Sequence, residues 1–331
     1  MQPVQPEGPL ILNFDNSVGT IKGAVCLDLQ AWQEKIRFAC SWRDFNAVSA
    51  FISDRLPQNY GTVLLGSGDY HHISYFLVKK LGEKLLRQQA AGGIEKAKAA
   101  RQSRARPAAL AAALPAQIAA GPGAAAPVHV VILDNHPDNM RYPFGIHCGS
   151  WVSHLAALPF VARIDVLGIT SSDIAPAHAW ENRLLPLWRG KLRYWSVGVD
   201  TGWARWLGLR HAFRNFAAVE DMAAAFTAEQ AGRTMPVYLS LDKDVLAPAL
   251  VHTNWDQGIM AKETLIALLT ALKSRIIAGD IVGEVSEYRY KSPFKRLMSA
   301  LDGQARVPPA ELSAWQRVNQ VFNRQILPFL P

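Results

Sequence analysis

Val128-His129-Val130-Val131-Ile132-Leu133-Asp134-Asn135-His136-Pro137-Asp138-Asn139 joins a short, mostly apolar run to three side chains that can carry charge or bind a metal. The run, rich in valine, isoleucine and leucine, predicts a buried strand over 128–133. Beyond it, Asp134, His136 and Asp138 occupy alternate positions. In an extended strand end such positions point to one side, so two carboxylates and an imidazole face one small volume. Carboxylates gathered in this way repel one another and resist burial unless a cation stands among them. The same pattern also suits a solvated turn after a strand, and the stretch alone does not choose between the two.

Outward from it, the same arrangement of strand, polar turn and helix recurs. Residues 9–14 and 23–29 predict short strands, and 41–56 a helix with Ser41 as its cap and Phe45, Val48 and Phe51 at helical spacing. Residues 62–65 predict a buried strand that runs into Gly66-Ser67-Gly68-Asp69-Tyr70-His71-His72. Phe76, Leu77, Leu81, Leu85 and Leu86 then restore the helical period over 73–89. After the opening stretch come a helix over 150–158, strands over 164–169 and 192–199, and a helix over 222–230. A strand over 236–241 ends in Asp242-Lys243-Asp244. A helix over 262–278, a strand over 281–285 carrying Glu284 and a helix over 309–325 complete the chain. Strands alternating with helices predict an α/β fold, with a mainly parallel sheet covered on both faces. Ligands of such sheets bind beyond the carboxyl ends of the strands, where the acidic and histidine residues fall.

The 331 residues suit a single α/β domain spanning 1–331, and half of them are apolar. Residues 90–127, rich in alanine with Pro107, Pro115, Pro122 and Pro127, predict a mobile insert that buries little. No uninterrupted apolar run reaches the roughly 18 residues of a membrane span, and the first residues lack the order of a signal peptide, so the expectation is a cytoplasmic protein without a membrane partner. Cys26, Cys40 and Cys148 are too widely spaced for a disulfide framework or a zinc knuckle. The formal charge of +8 draws heavily on Lys96, Lys98, Arg101, Arg104 and Arg106, a segment without interleaved aromatics, and a nucleic-acid partner is not expected.

Taken together, the strand ends offer His71 or His72, then Asp134, His136 and Asp138, then Asp242 and Asp244. A carboxylate-rich set with some imidazole suits manganese better than a structural zinc site. Four carboxylates exceed the charge of one divalent ion, whereas two ions about 3.5 to 4 Å apart satisfy them.

The ordered set Gly68-Asp69-Tyr70-His71-His72, Asp134-Asn135-His136-Pro137-Asp138, Ser240-Leu241-Asp242-Lys243-Asp244-Val245-Leu246-Ala247-Pro248 and Gly283-Glu284-Val285 resembles the motifs of the ureohydrolases, the arginase, agmatinase and formiminoglutamase family, over residues 60–290. The resemblance implies a three-layer α/β/α fold of the arginase and deacetylase type and two Mn2+ ions. It implies that Asp134 and Asp242 bridge the ions, with His71 and Asp138 completing one and His136 and Asp244 the other. His147 occupies the place of a proton-carrying histidine, and Glu284 that of a carboxylate receiving a guanidinium. Asp200 is a looser match to an acidic residue that holds the substrate's amino end. The implied reaction is attack of metal-bound hydroxide on a guanidine or amidine carbon of a small substrate, releasing urea or a related amide.

The chain also departs from the family. An extra residue separates Asp69 from His71, which leaves His72 in competition. Ala247 replaces an aspartate near the pocket. The interval from Asp138 to His147, with Met140, differs in a loop that contacts amino-acid substrates. His252, Trp255 and Asp256 stand as candidates for the mouth of the site. A zinc-dependent deacetylase-like amidohydrolase on the same fold and a metal-binding non-enzyme are the alternatives, and a homo-oligomer stays open.

Overall fold

The computed structural model describes residues 8–57, 60–103, 127–301 and 307–331. Its strands are β1 (Leu10–Asn13), β2 (Val25–Asp28), β3 (Ala39–Cys40), β4 (Thr62–Leu64), β5 (Val128–Leu133), β6 (Ile146–His147), β7 (Val161–Ile169), β8 (Leu192–Val197), β9 (Phe213–Phe216), β10 (Val237–Asp242) and β11 (Ile276–Val282). Its α-helices are α1 (Gln33–Ile36), α2 (Trp42–Ser53), α3 (Ile73–Ser103), α4 (Trp151–Leu155), α5 (Leu185–Trp188), α6 (Val219–Gln230), α7 (Lys262–Leu272), α8 (Pro293–Leu301) and α9 (Pro309–Ile326).

Nine strands form one sheet in the order β2-β1-β4-β11-β10-β5-β7-β8-β9, and every pairing among them is parallel. The period of two divides each central strand between two cores. Val128, Val130 and Ile132 of β5 join residues of α2, α3 and α4 on one face. Val131 and Leu133 join α6, α7 and α9 on the other. The result is a three-layer α/β/α architecture, as the strand and helix pattern predicts. Each fully buried leucine, isoleucine or valine contributes about 1.5–3 kcal/mol, so both faces need their helices.

The order places β4, β11, β10 and β5 side by side in the middle of the sheet. Their carboxyl ends carry His71, Glu284, the Asp242–Asp244 pair and the opening stretch. The chain moves outward from β5 to β7 and returns to its other side at β10, so the crevice falls where the strand order reverses. The short β3 pairs antiparallel with β6, placing Ala39 opposite His147.

Several boundaries differ from those the sequence predicts. The helix begun at Ile73 runs through Ser103, into the stretch read as an insert; the rest of that expectation, 104–126, lies outside the described residues. The helix expected over 262–278 ends at Leu272, and Ile276 to Ala278 open β11 instead. Ile276 continues the spacing of Leu265, Leu268, Leu269 and Leu272, so periodicity alone extends the helix, whereas the gap between β10 and β4 needs a strand. That strand consequently stops at Val282, before Glu284. No helix among the described residues is long and apolar enough to cross a membrane.

Candidate metal centre

β5 delivers Asp134 as its chain leaves the sheet, with Asp134 N–H still donating to Leu167 O at 3.0 Å. Asp134 Oδ1 accepts the His136 N–H at 2.7 Å, closing a tight turn that brings His136 round. Asp138 sits in the left-handed region at φ 47, which aspartate tolerates better than most residues, and its Oδ2 accepts Trp151 Nε1–H at 2.6 Å. β10 delivers Asp242, whose Oδ1 accepts the Asp244 N–H at 3.1 Å. Gly283, at φ 89, lets the end of β11 lie against this turn: a Cβ there would stand 2.3 Å from Asp242 Oδ1.

The structure brings His71, Asp134, Asp138 and Asp242 together. His71 Nδ1 lies 2.9 Å from Asp138 Oδ2 and 3.3 Å from Oδ2 of both Asp134 and Asp242. His136 Nδ1 lies 3.0 Å from Asp244 Oδ2 and 3.6 Å from Asp134 Oδ1. Two groups of potential ligand atoms therefore form, His71 with Asp134 and Asp138, and His136 with Asp134 and Asp244. Within each group the atoms lie within 4.8 Å of one another, and Asp134 belongs to both.

Each imidazole is held from behind. His71 Nε2 faces Ser240 Oγ at 2.9 Å, and that hydroxyl donates to the buried Asp280 at 2.8 Å. His136 Nε2 meets Asp256 Oδ1 at 2.8 Å. Both rings thus direct Nδ1 toward carboxylate oxygens, the orientation of a metal-ligating histidine with an outer carboxylate or hydroxyl partner.

One proton on His71 Nδ1 cannot satisfy three surrounding carboxylates, and the buried Asp134 Oδ2 accepts no well-formed hydrogen bond. The donor set and this orphaned oxygen fit divalent cations. Electrostatics agree. Burial and the neighbouring Asp244 hold the Asp242 carboxyl well above the usual range, and burial with Asp134 pushes Asp244 up to about 6. Burial opposes the His71 imidazolium, yet Asp134 and Asp138 raise it well above the ordinary histidine range. Without a cation, protons must supply the missing positive charge.

The competing His72 turns elsewhere. Its Nε2 lies 3.8 Å from Cys40 Sγ, and burial, with the charge of His147 next, lowers its pKa well below the usual value. His147 stands at the wall of the same cavity, where its Nδ1 accepts the Gly149 N–H at 2.9 Å.

Glu284, the expected substrate anchor, is engaged by side chains of the protein itself. It is buried, accepts a hydrogen bond from the ammonium of Lys243 and another from Asn323 Nδ2 at 2.7 Å, and does not line the cavity. The cation it receives belongs to the chain. Lys243 fills the variable position of its motif, to which no pattern in the sequence assigns a role. Asp200 is exposed, accepts the Gly202 N–H and is likewise outside the cavity.

The cavity measures about 410 Å³. Trp255 and Asp256 line it, whereas His252 stacks on Trp315 elsewhere. Asp173, His178 and Glu181 also line it and were not singled out. They follow β7, so the rule that ligands gather beyond strand carboxyl ends was the available signal; no motif marked them.

No family model matches the chain. It is similar to an uncharacterized protein of Thermotoga maritima, 24% identical over 234 residues, a match spanning 70% of this chain and 62% of that protein. Among solved structures it is similar to proclavaminate amidino hydrolase from Streptomyces clavuligerus, at 16% identity and TM-score 0.47, covering 96% of this chain and 93% of the other. A hypothetical agmatinase from Burkholderia thailandensis shows 13% identity and TM-score 0.46, with 98% and 89% covered. Arginase from Bacillus caldovelox shows 13% identity and TM-score 0.46, with 92% and 100% covered.

Proposed function

We propose that this chain is a binuclear manganese-dependent hydrolase that cleaves a C–N bond of a small guanidine or amidine, yielding urea or a related amide and an amine. The observation that carries the reading is the sharing of Asp134 between two ligand groups. His71 and Asp138 would hold one ion, His136 and Asp244 the other, and Asp134 would serve both; Asp242, 3.3 Å from His71 Nδ1 but outside both groups, would be the second shared carboxylate. When bound, such ions polarise the substrate and acidify water to near neutral pH.

The remaining work falls to the protein. His71 and His136 are kept in orientation by Ser240 and Asp256. His147, at the cavity wall with Nδ1 accepting the Gly149 N–H and Nε2 3.7 Å from Cys148 Sγ, is the proton carrier for the departing amine. Asp173, Glu181 and Asp256, beside the ligand carboxylates, give the cavity a negative field that favours a cationic substrate. Trp255 and Met140 supply apolar wall that limits water.

A second reading, an amide-cleaving hydrolase on the same centre, is favoured by the position of Glu284, which holds Lys243 and Asn323 through Oε1 and does not line the cavity.

The test begins with metal analysis after manganese loading, followed by urea detection with arginine, agmatine, guanidinobutyrate, guanidine and formiminoglutamate, and acetate detection with acetylated amines. Two ions per chain and urea or amide release support the first reading. One ion, with acetate release, selects the second. Asp134→Asn is expected to abolish metal binding in a folded chain; a wild-type chain that stays essentially metal-free sinks both readings.

A further inference from the structure

Phe38 is a buried aromatic residue with φ 71, in the left-handed region that bulky side chains rarely enter. Ala39 N–H donates to Arg37 O at 2.9 Å, which makes Phe38 the centre of a three-residue turn of the rare, strained γ type. Such a conformation persists only when its surroundings over-determine it, and such sites concentrate around function.

The surroundings here are specific. Phe38 N–H donates to Asp69 O, two residues before His71, at 2.9 Å. Phe38 O accepts the N–H of Cys148, the residue after His147, also at 2.9 Å. On one side the turn is clamped by Arg37, whose guanidinium meets Asp69 at 2.6 Å. On the other, Lys295 Nζ of α8 donates to the carbonyls of Glu34, Lys35 and Arg37 at 2.8, 3.0 and 3.0 Å. The ring meets the His147 imidazole edge to face, with centroids 4.5 Å apart and planes at 87°. It also lies nearly parallel to Trp255 of the cavity wall, at 6.2 Å and 7°. Tyr142 flanks the imidazole at 5.4 Å.

We propose that Phe38 is a positioning residue for His147: its strained turn fixes the spacing between the loop bearing His71 and the loop bearing His147, and its ring sets the tilt of the imidazole. The turn sets the backbone distance through two hydrogen bonds. The edge-to-face contact, favourable at this separation, acts with the Gly149 N–H bond to Nδ1 to hold the plane of the imidazole. The kinetic consequence rests on the proposed hydrolase reading; the orientation of His147 does not.

Substitutions at Phe38 separate the parts. Phe38→Leu keeps apolar volume without a ring, Phe38→Tyr keeps the ring, and Phe38→Gly releases the strain and loses both. The first readout is the ring signals of His147 in histidine NMR spectra, identified by their loss in His147→Gln. They should shift and broaden in Phe38→Leu, with those of the distant His129 unmoved, and return close to wild type in Phe38→Tyr. In Phe38→Leu, kcat should fall at least about tenfold with KM within about twofold and metal content intact, and Phe38→Tyr should restore most of it. Phe38→Gly should lose the same kcat yet unfold at higher urea than Phe38→Ala, as release of strain requires.

Unmoved His147 signals in Phe38→Leu overturn the proposal. So does loss of kcat in company with KM and metal content, which marks a merely structural residue. If no substrate is turned over by the wild type, the hydrolase reading fails while the NMR comparison still decides the role of Phe38.

Discussion

Replacing Lys243 by methionine tests how the buried pair beneath the metal centre is held. Lys243 and Glu284 are 0% and 1% exposed, so neither charge has water to fall back on. Methionine keeps the length and apolar stem of lysine and removes the ammonium. Glu284 is then left with the Asn323 side chain as its hydrogen-bond donor, and with the carboxylates of the ligand cluster nearby. Removal of one partner from a buried ion pair costs about 3–5 kcal/mol, because the other charge stays desolvated. That is a large part of the roughly 5–15 kcal/mol by which a folded chain is stable. With a urea slope of about 3 kcal/mol per molar, the midpoint should fall by about 1–1.7 M. Adding Glu284→Gln to Lys243→Met removes the stranded charge while keeping a partner for Asn323, and should recover most of the loss. Equilibrium urea unfolding followed by circular dichroism measures both. A single-variant loss below about 1 kcal/mol, or a double variant no better than the single, refutes the reasoning. So does a Glu284→Gln chain of wild-type stability whose KM alone rises steeply, since that is the behaviour of a substrate anchor.

Two further outcomes follow from other contacts. Asp256→Asn weakens the partner behind His136 Nε2 and should lower metal affinity about 10- to 100-fold, measured by competition with a chelating dye; an unchanged affinity removes Asp256 from that role. His154 is partly buried, and burial, with Arg183 next, lowers its pKa to about 4. An unfolded chain takes up this proton near pH 6.5 and the folded chain only near 4, so this contribution to stability is complete above about pH 6.5 and is lost as the pH falls toward 4. In His154→Gln the difference in urea midpoint between pH 7 and pH 5 should therefore shrink; a difference as large as that of the wild type contradicts the assignment.

Much of the centre is legible because strand ends are legible. Val128 to Leu133 and Val237 to Leu241 are mostly apolar runs that stop at aspartates, and in both the aspartate stands at or just past the end of its strand. The alternation at Asp134, His136 and Asp138 then limits which side chains can meet. Less legible were positions where two patterns coincide. Ile276 extends the stripe of α7 and also begins β11, and only the gap in the sheet separates the two uses. The strained turn at Phe38 leaves no trace in composition, because the sequence Arg37-Phe38-Ala39 contains none of the residues that favour positive φ.

The linear sequence by itself determined the α/β class, the alternation that makes a parallel sheet, and the carboxyl-end positions of His71, Asp134, His136, Asp138, Asp242 and Asp244. These depend on periodicity and on the cost of burying charge, both local properties of the chain. Only the tertiary structure decided which charges meet. It turned His71 toward the carboxylates and His72 toward Cys40, joined Lys243 to Glu284, and brought Asp173 and Glu181 to the cavity wall. Those outcomes depend on the order of strands in the sheet and on contacts between residues far apart in sequence, whose distances no local pattern records.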